Sequence, residues 1–126
     1  MKVLSLEQMS QLKELGVDVK PKGMCLMYTS DSSDNYYLKY GESTCEDDIV
    51  AFTLQDIIEL LPPQLMHEEE NIYFSFESIG KEYGFYYVTV DFEIRIYFNN
   101  TNILQSAYSM LLWVIENGYL KQSKMY

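Results

Sequence analysis

From Ile72 to Phe98 apolar residues recur mostly at every second position, and at Asn99-Asn100 the spacing changes to the helical period of Ile103, Leu104, Ala107, Met110, Leu111, Val114 and Ile115. This change from period 2 to period 3.6 predicts a sheet face followed by the helix that covers it. Ile72, Phe74 and Phe76 alternate with Tyr73, Ser75 and Glu77, and the segment Gly80 to Gly84 supplies a reversal. Beyond it, Val88, Val90, Phe92, Ile94, Ile96 and Phe98 place every even position on one apolar face. That run exceeds the usual strand of about 5 to 6 residues. Two strands reversing near Asp91 are favoured over a single bulged strand, although no glycine marks a tight turn. The last helix starts near Asn100 or Thr101 and ends at Glu116-Asn117-Gly118. Gly118 suits a left-handed cap, and Tyr119 or Leu120 can fold back on the final turn.

Earlier in the chain, Ser5-Leu6-Glu7-Gln8 has the form of a capping box, and Leu6, Met9, Leu12 and Leu15 define an amphipathic helix over 5–15 that Gly16 can end. Val17 to Gly23 reads as a connector. Met24 to Thr29 is apolar on both faces, the pattern of a strand covered on two sides. Turn residues at 31–35 and a returning strand at 36–40 complete a hairpin. Gly41 to Asp48 is a polar, acidic loop leading to an extended stretch at 49–52. Thr53 with Asp56 then opens a helix of about two turns that Pro62-Pro63 stops. Gln64 to Asn71, containing Glu68-Glu69-Glu70, reads as a solvated loop. The expectation is a single α+β domain over 1–126: an antiparallel sheet of about five strands, about three helices, the C-terminal helix on one sheet face, and a loose tail at 121–126.

The length of 126 residues suits one domain able to bury a core without staples. The opening Met1 to Glu7 breaks off before an apolar signal core, and Cys25 and Cys45 are read as reduced thiols, so a cytoplasmic location is expected. The longest apolar run, Met110 to Ile115, falls far short of the roughly 20 residues of a spanning helix. Nineteen acids against nine bases leave a formal charge of −10. Lysine- and arginine-driven binding of nucleic acid or anionic lipid is thereby disfavoured. Twelve tyrosines against six phenylalanines point toward surfaces that are half buried or contact a partner.

Candidate chemistry is sparse. His67 is the only histidine, and position 71 is Asn, so the HExxH ligand pair is incomplete; an exposed histidine in an acidic loop is expected. Neither cysteine has the positive neighbours that activate a thiol, and Cys45 precedes Glu46-Asp47-Asp48. Those acids and Glu68-Glu69-Glu70 form runs typical of solvated loops. Asp31 to Asn35 lacks the remaining ligands of a calcium loop. Glycines form no phosphate-binding pattern, and Asn99-Asn100-Thr101 reads as helix-capping chemistry. No catalytic, cofactor or metal site is expected. The odd-numbered face of the late strands, with Tyr73, Tyr87, Arg95 and Tyr97 beside Ser75, Glu77, Thr89 and Glu93, is the candidate protein-interaction face.

The stretches Phe52 to Pro62 and Ala107 to Tyr119 resemble small phage and mobile-element proteins of Bacteroides and relatives. The resemblance covers about a fifth of the chain. It implies a mobile-element origin and a bacterial cytoplasm, and it brings no activity and no site residue with it.

Function is therefore expected to be non-enzymatic: an accessory factor acting through protein contacts, with self-association. Two alternatives stay open. One is an acidic nucleic-acid mimic that inhibits a DNA-binding enzyme. The other is an enzyme with an unrecognised carboxylate pocket.

Overall fold

A computed structural model describes residues 2–31 and 35–120. The middle of the expected 31–35 turn and the expected 121–126 tail lie outside the described residues. The chain divides into two compact units, Met1–Thr53 and Leu54–Tyr126.

The first unit contains α1 (Leu6–Glu14), β1 (Cys25–Ser30), β2 (Tyr36–Gly41) and β3 (Ile49–Val50). The capping box at the start of α1 forms as expected: Ser5 Oγ accepts the Gln8 N–H and Gln8 Oε1 accepts the Ser5 N–H, each at 3.1 Å. Gly16 ends the helix at φ 93°, and the Val17 N–H reaches back to the Leu12 carbonyl at 3.0 Å. That is the left-handed closure only a residue without Cβ adopts freely. The three strands run antiparallel in the order β2-β1-β3. Central β1 buries Met27 and Thr29 on one face and half-buries Leu26 and Tyr28 on the other, in keeping with a strand covered on both sides. The Tyr28 hydroxyl donates to the Leu4 carbonyl at 2.6 Å.

The second unit contains α2 (Leu54–Leu60), β4 (Gln64–His67), β5 (Glu70–Ile79), β6 (Glu82–Val88), β7 (Ile94–Asn100) and α3 (Ile103–Glu116). Its strands form an antiparallel meander in chain order, and α3 lies against β6 and β7 and beside α2. The mixed α+β class and the covering C-terminal helix match the sequence expectation. Among the described residues the strands are seven in number, shared between sheets of three and four.

Asn102, one or two residues later than expected, caps α3 by accepting the Leu104 and Gln105 N–H groups at 3.0 and 3.3 Å. The Ser106 hydroxyl lies 2.9 Å from the Tyr83 carbonyl and 2.8 Å from that of Phe98, which pins the first turns of α3 to β6 and β7. At the other end Gly118, φ 75°, donates to the Ile115 carbonyl, and the Tyr119 N–H donates to that of Val114. This Schellman closure directs the Tyr119 ring back onto the helix, 5.4 Å from Trp113.

Three turns set the phase of the sheet. Residues 64–71, expected as a solvated loop, form the β4–β5 hairpin. Glu68 and Glu69 occupy its two-residue turn at φ 51° and 66°, the type I′ geometry that normally takes Asn-Gly. Gly80 at φ 61°, followed by Lys81, joins β5 to β6 and pairs Ile79 with Glu82. Thr89 and Glu93 close the third turn, with Thr89 N–H to Glu93 O and Phe92 N–H to Thr89 O, both 2.9 Å. The favoured reversal near Asp91 is therefore correct, and Phe92 takes the left-handed position at φ 65°.

The even-position face expected over 88–98 is corrected. The Gly80-Lys81 turn sets Phe76 opposite Phe85 and Phe74 opposite Tyr87, so β6 sends its odd residues toward the core. Farther along, Tyr87 pairs with Ile96 but Val88 pairs with Ile94, leaving Arg95 as the extra residue of a bulge. Ile96 and Phe98 consequently share the inner face with Phe85 and Tyr87, while Val88 and Ile94 share the outer face.

Candidate functional site

The outer face of the four-stranded sheet follows from the pairings. Gln64, Tyr73, Val88 and Ile94 form one cross-strand row, Ser75, Tyr86 and Tyr97 the next, then Glu77, Gly84 and Asn99, then Ile79 and Glu82. Tyr73, Val88, Ile94, Tyr86 and Tyr97 are thus neighbours across three strands. Tyr73, Ile94 and Tyr97 are 37, 55 and 49% exposed, which leaves an apolar, aromatic surface in contact with solvent.

Gly84 shapes this surface. A Cβ there would stand 2.5 Å from the Tyr86 hydroxyl oxygen and 2.7 Å from Cζ, so the Tyr86 ring lies down across the glycine. The same ring stacks with Tyr97, with centroids 5.3 Å apart and planes 14° from parallel. Burial, then the charge on Glu77, raises the Tyr86 phenol above its ordinary value, so it remains a neutral hydrogen-bond donor. Glu82 accepts the Asn99 side-chain N–H at 2.7 Å. The result is a flat tyrosine platform bordered by carboxylates.

Of the four residues expected on the interaction face, Tyr73 and Tyr97 are there. Tyr87 is not: it is fully buried on the opposite face, its hydroxyl donating to the Pro62 carbonyl at 2.7 Å and its ring 6.1 Å from Trp113. The register set by Gly80-Lys81 sends it inward. Arg95 is exposed but engaged, its Nε 2.7 Å and Nη2 3.3 Å from the Glu70 carboxylate, and Nη2 2.8 Å from Glu93. These carboxylates, Glu70 foremost, raise its affinity for its proton, and Arg95 in turn holds Glu70 below the usual carboxylate range. Sequence reasoning missed Tyr86, Val88 and Ile94. The glycine inside a strand was the available signal, because it marks close approach of another group.

On the inner face, His67 is half-buried at the end of β4, which corrects the expectation of an exposed loop histidine. Its ring packs in T-shaped arrangements with Trp113 at 5.2 Å and Tyr119 at 5.6 Å, and Nδ1 is hydrogen-bonded to the Tyr119 hydroxyl. Burial, with Glu68 adding to it, raises the Tyr119 phenol above its ordinary value. Nε2 of the histidine ring lies 3.8 Å from Glu68 Oε1. With Nδ1 bonded to Tyr119 and the Trp113 and Tyr119 rings packed at steep angles to the imidazole, the cluster acts as a tie between β4 and the end of α3.

The first unit carries a separate feature, a hollow of about 630 Å³ lined by Lys20, Pro21 and residues 43–48. Asp48 closes that loop: its Oδ2 accepts from Ser43 Oγ, Thr44 N–H and Cys45 N–H at 2.9, 3.1 and 3.2 Å. Burial opposes its ionisation, but the Thr29 and Ser43 side chains and the two N–H groups outweigh it and keep the carboxyl below its ordinary value. Oδ1 is buried without a hydrogen-bond partner. Oδ2 is spent on its own loop. Cys25 and Cys45 are not bonded to each other. Among the described residues no three His, Cys, Asp or Glu side chains gather as a metal-ligand set, and no helix is long and apolar enough to cross a membrane.

Comparison of the chain with protein-family models, with curated proteins and with solved structures finds no match.

Proposed function

We propose that the protein is a non-enzymatic accessory factor that binds a basic partner protein on the outer face of its four-stranded sheet. The observation that carries this reading is the Tyr86–Tyr97 stack laid across Gly84, continuous with Tyr73, Val88 and Ile94 and bordered by Glu77 and Glu82. Stacked tyrosine rings attract arginine and lysine through their faces, and the flanking carboxylates complete the same preference. The net charge of −10 steers a basic partner toward the protein and repels nucleic acid. A phage or mobile-element origin, implied by the resemblance of 52–62 and 107–119, belongs to the same proposal.

A short arginine-glycine repeat peptide is the probe. Titrated against the full chain and followed by backbone and side-chain NMR, it is expected to shift Tyr73, Tyr86, Val88, Ile94 and Tyr97 saturably. The Tyr97→Ser variant, folded by circular dichroism, is expected to weaken binding at least fivefold. Absence of binding, or shifts scattered over the acidic loops instead of the sheet face, would reject the proposal.

A further inference from the structure

Strand β2 lies at the open edge of the three-stranded sheet, paired only with β1 among the described residues. Tyr36, Tyr37, Leu38 and Tyr40 are 41, 50, 42 and 65% exposed, so apolar side chains project into solvent from both faces of this edge. Edge strands of this kind are normally blunted by charge, proline or a bulge, because their free N–H and C=O groups template another strand. Here the described pairing with β1 is regular from Cys25↔Gly41 to Ser30↔Tyr36. The one charged residue of the strand, Lys39, is laid along it, its Cε 3.7 Å from where a Gly41 Cβ would stand.

We propose that β2 pairs antiparallel with β2 of a second copy of this chain, about a two-fold axis at Leu38. The strand is self-complementary in that register. Leu38 faces Leu38, Tyr36 faces Tyr40, and on the other face Tyr37 meets Lys39, giving two aromatic pairs and two cation–π contacts related by the axis. A sheet of six strands results. Charge selects a second copy here: the strand holds no carboxylate, so two chains of net charge −10 meet at a segment free of acid-acid opposition. The outer face of the four-stranded sheet, with Glu77 and Glu82, would set like charges together. One strand pair buries less than the roughly 1,200 Å² of a stable interface, so the dimer is weak and dependent on concentration.

Sedimentation velocity of the full chain over a wide concentration range is expected to show a reversible monomer–dimer equilibrium, weakened at least tenfold by Leu38→Lys. In a Cys25→Ser/Cys45→Ser background, Leu38→Cys is expected to form a disulfide-linked dimer on mild oxidation, and Tyr40→Cys to form far less. A monomer at every concentration would overturn the proposal. So would a dimer indifferent to Leu38→Lys, or equal cross-linking from positions 38 and 40. The cysteine pair decides the matter even where the lysine variant fails to fold.

Discussion

The Tyr119 hydroxyl is hydrogen-bonded to Nδ1 of His67, a residue 52 positions earlier in the chain, and so ties the capped end of α3 to the end of β4. Three local facts converge on it: the left-handed Gly118, the Tyr119 N–H bond to Val114, and the type I′ turn that follows His67. Tyr119→Phe removes the hydrogen bond and keeps the ring, and is expected to cost about 1 kcal/mol. Tyr119→Ala also removes the contacts with Trp113 and His67 and costs more. Urea unfolding of both, with His67→Ala completing a double-mutant cycle, measures the coupling.

Two turns carry ordinary side chains where the backbone prefers none. Glu68, Glu69 and Phe92 all have positive φ, at a cost of roughly 1–2 kcal/mol for each such L-residue. Glu68→Asn/Glu69→Gly supplies the residues a type I′ turn favours, and is expected to stabilise the protein by about 1 kcal/mol or more. Phe92 is 84% exposed, so Phe92→Gly relieves strain without opening a cavity and raises the urea midpoint. A decrease in either variant would show that the side chain makes a contact worth more than the strain.

Gly84→Ala tests the tyrosine platform. The added methyl occupies the space of the Tyr86 ring, which must lift away and leave its stack on Tyr97. A loss of about 1–3 kcal/mol is expected, together with large NMR shifts of the Tyr86 and Tyr97 ring protons and weaker peptide binding. Unshifted rings in a folded Gly84→Ala protein would contradict the close approach.

Acid sensitivity should trace in part to Asp48. Its carboxyl is held below the ordinary 3.8 by hydrogen bonds that outweigh its burial. The native state therefore binds this proton less readily than the unfolded chain. Its contribution is present above pH 3.8 and is lost as pH falls through the lowered native value. Asp48→Asn is expected to flatten the stability profile in that acid window, while costing about 1–3 kcal/mol at neutral pH.

At the alkaline end Tyr87 has the opposite sign. Burial raises its phenol far above the ordinary 10.0, so the native state keeps a proton that the unfolded chain releases. Stability from this source is complete below pH 10 and declines as pH rises beyond it. Tyr87→Phe is expected to lessen that decline and to cost about 1 kcal/mol at neutral pH, through the lost bond to the Pro62 carbonyl. Unfolding monitored by circular dichroism, alongside tyrosinate absorbance, separates the two effects.

Local chemistry was legible in the residues themselves. Ser5 with Gln8, Gly16, Pro62-Pro63 and Gly118 act within a few positions of the groups they satisfy, so the three helices and their ends could be read in order along the chain. The alternation around 72–98 likewise announced a sheet, and the 3.6 period after Asn100 announced its cover. Which face each strand residue takes was decided only by the tertiary structure. Tyr86 and Tyr87 are adjacent in type and position, yet one lies on the solvent platform and the other in the core. A two-residue turn at Gly80-Lys81 and one extra residue at Arg95 each reverse the phase of everything beyond them. With a side-chain period of two, a single-residue slip exchanges inside for outside. Glu68-Glu69 hid the β4–β5 hairpin for a related reason: nothing in two glutamates signals positive φ, and it is the pairing of Leu65 with Ile72, both buried, that holds them there. The surface proposed to bind a partner therefore belongs to strand register, which arises from contacts between segments far apart in the chain.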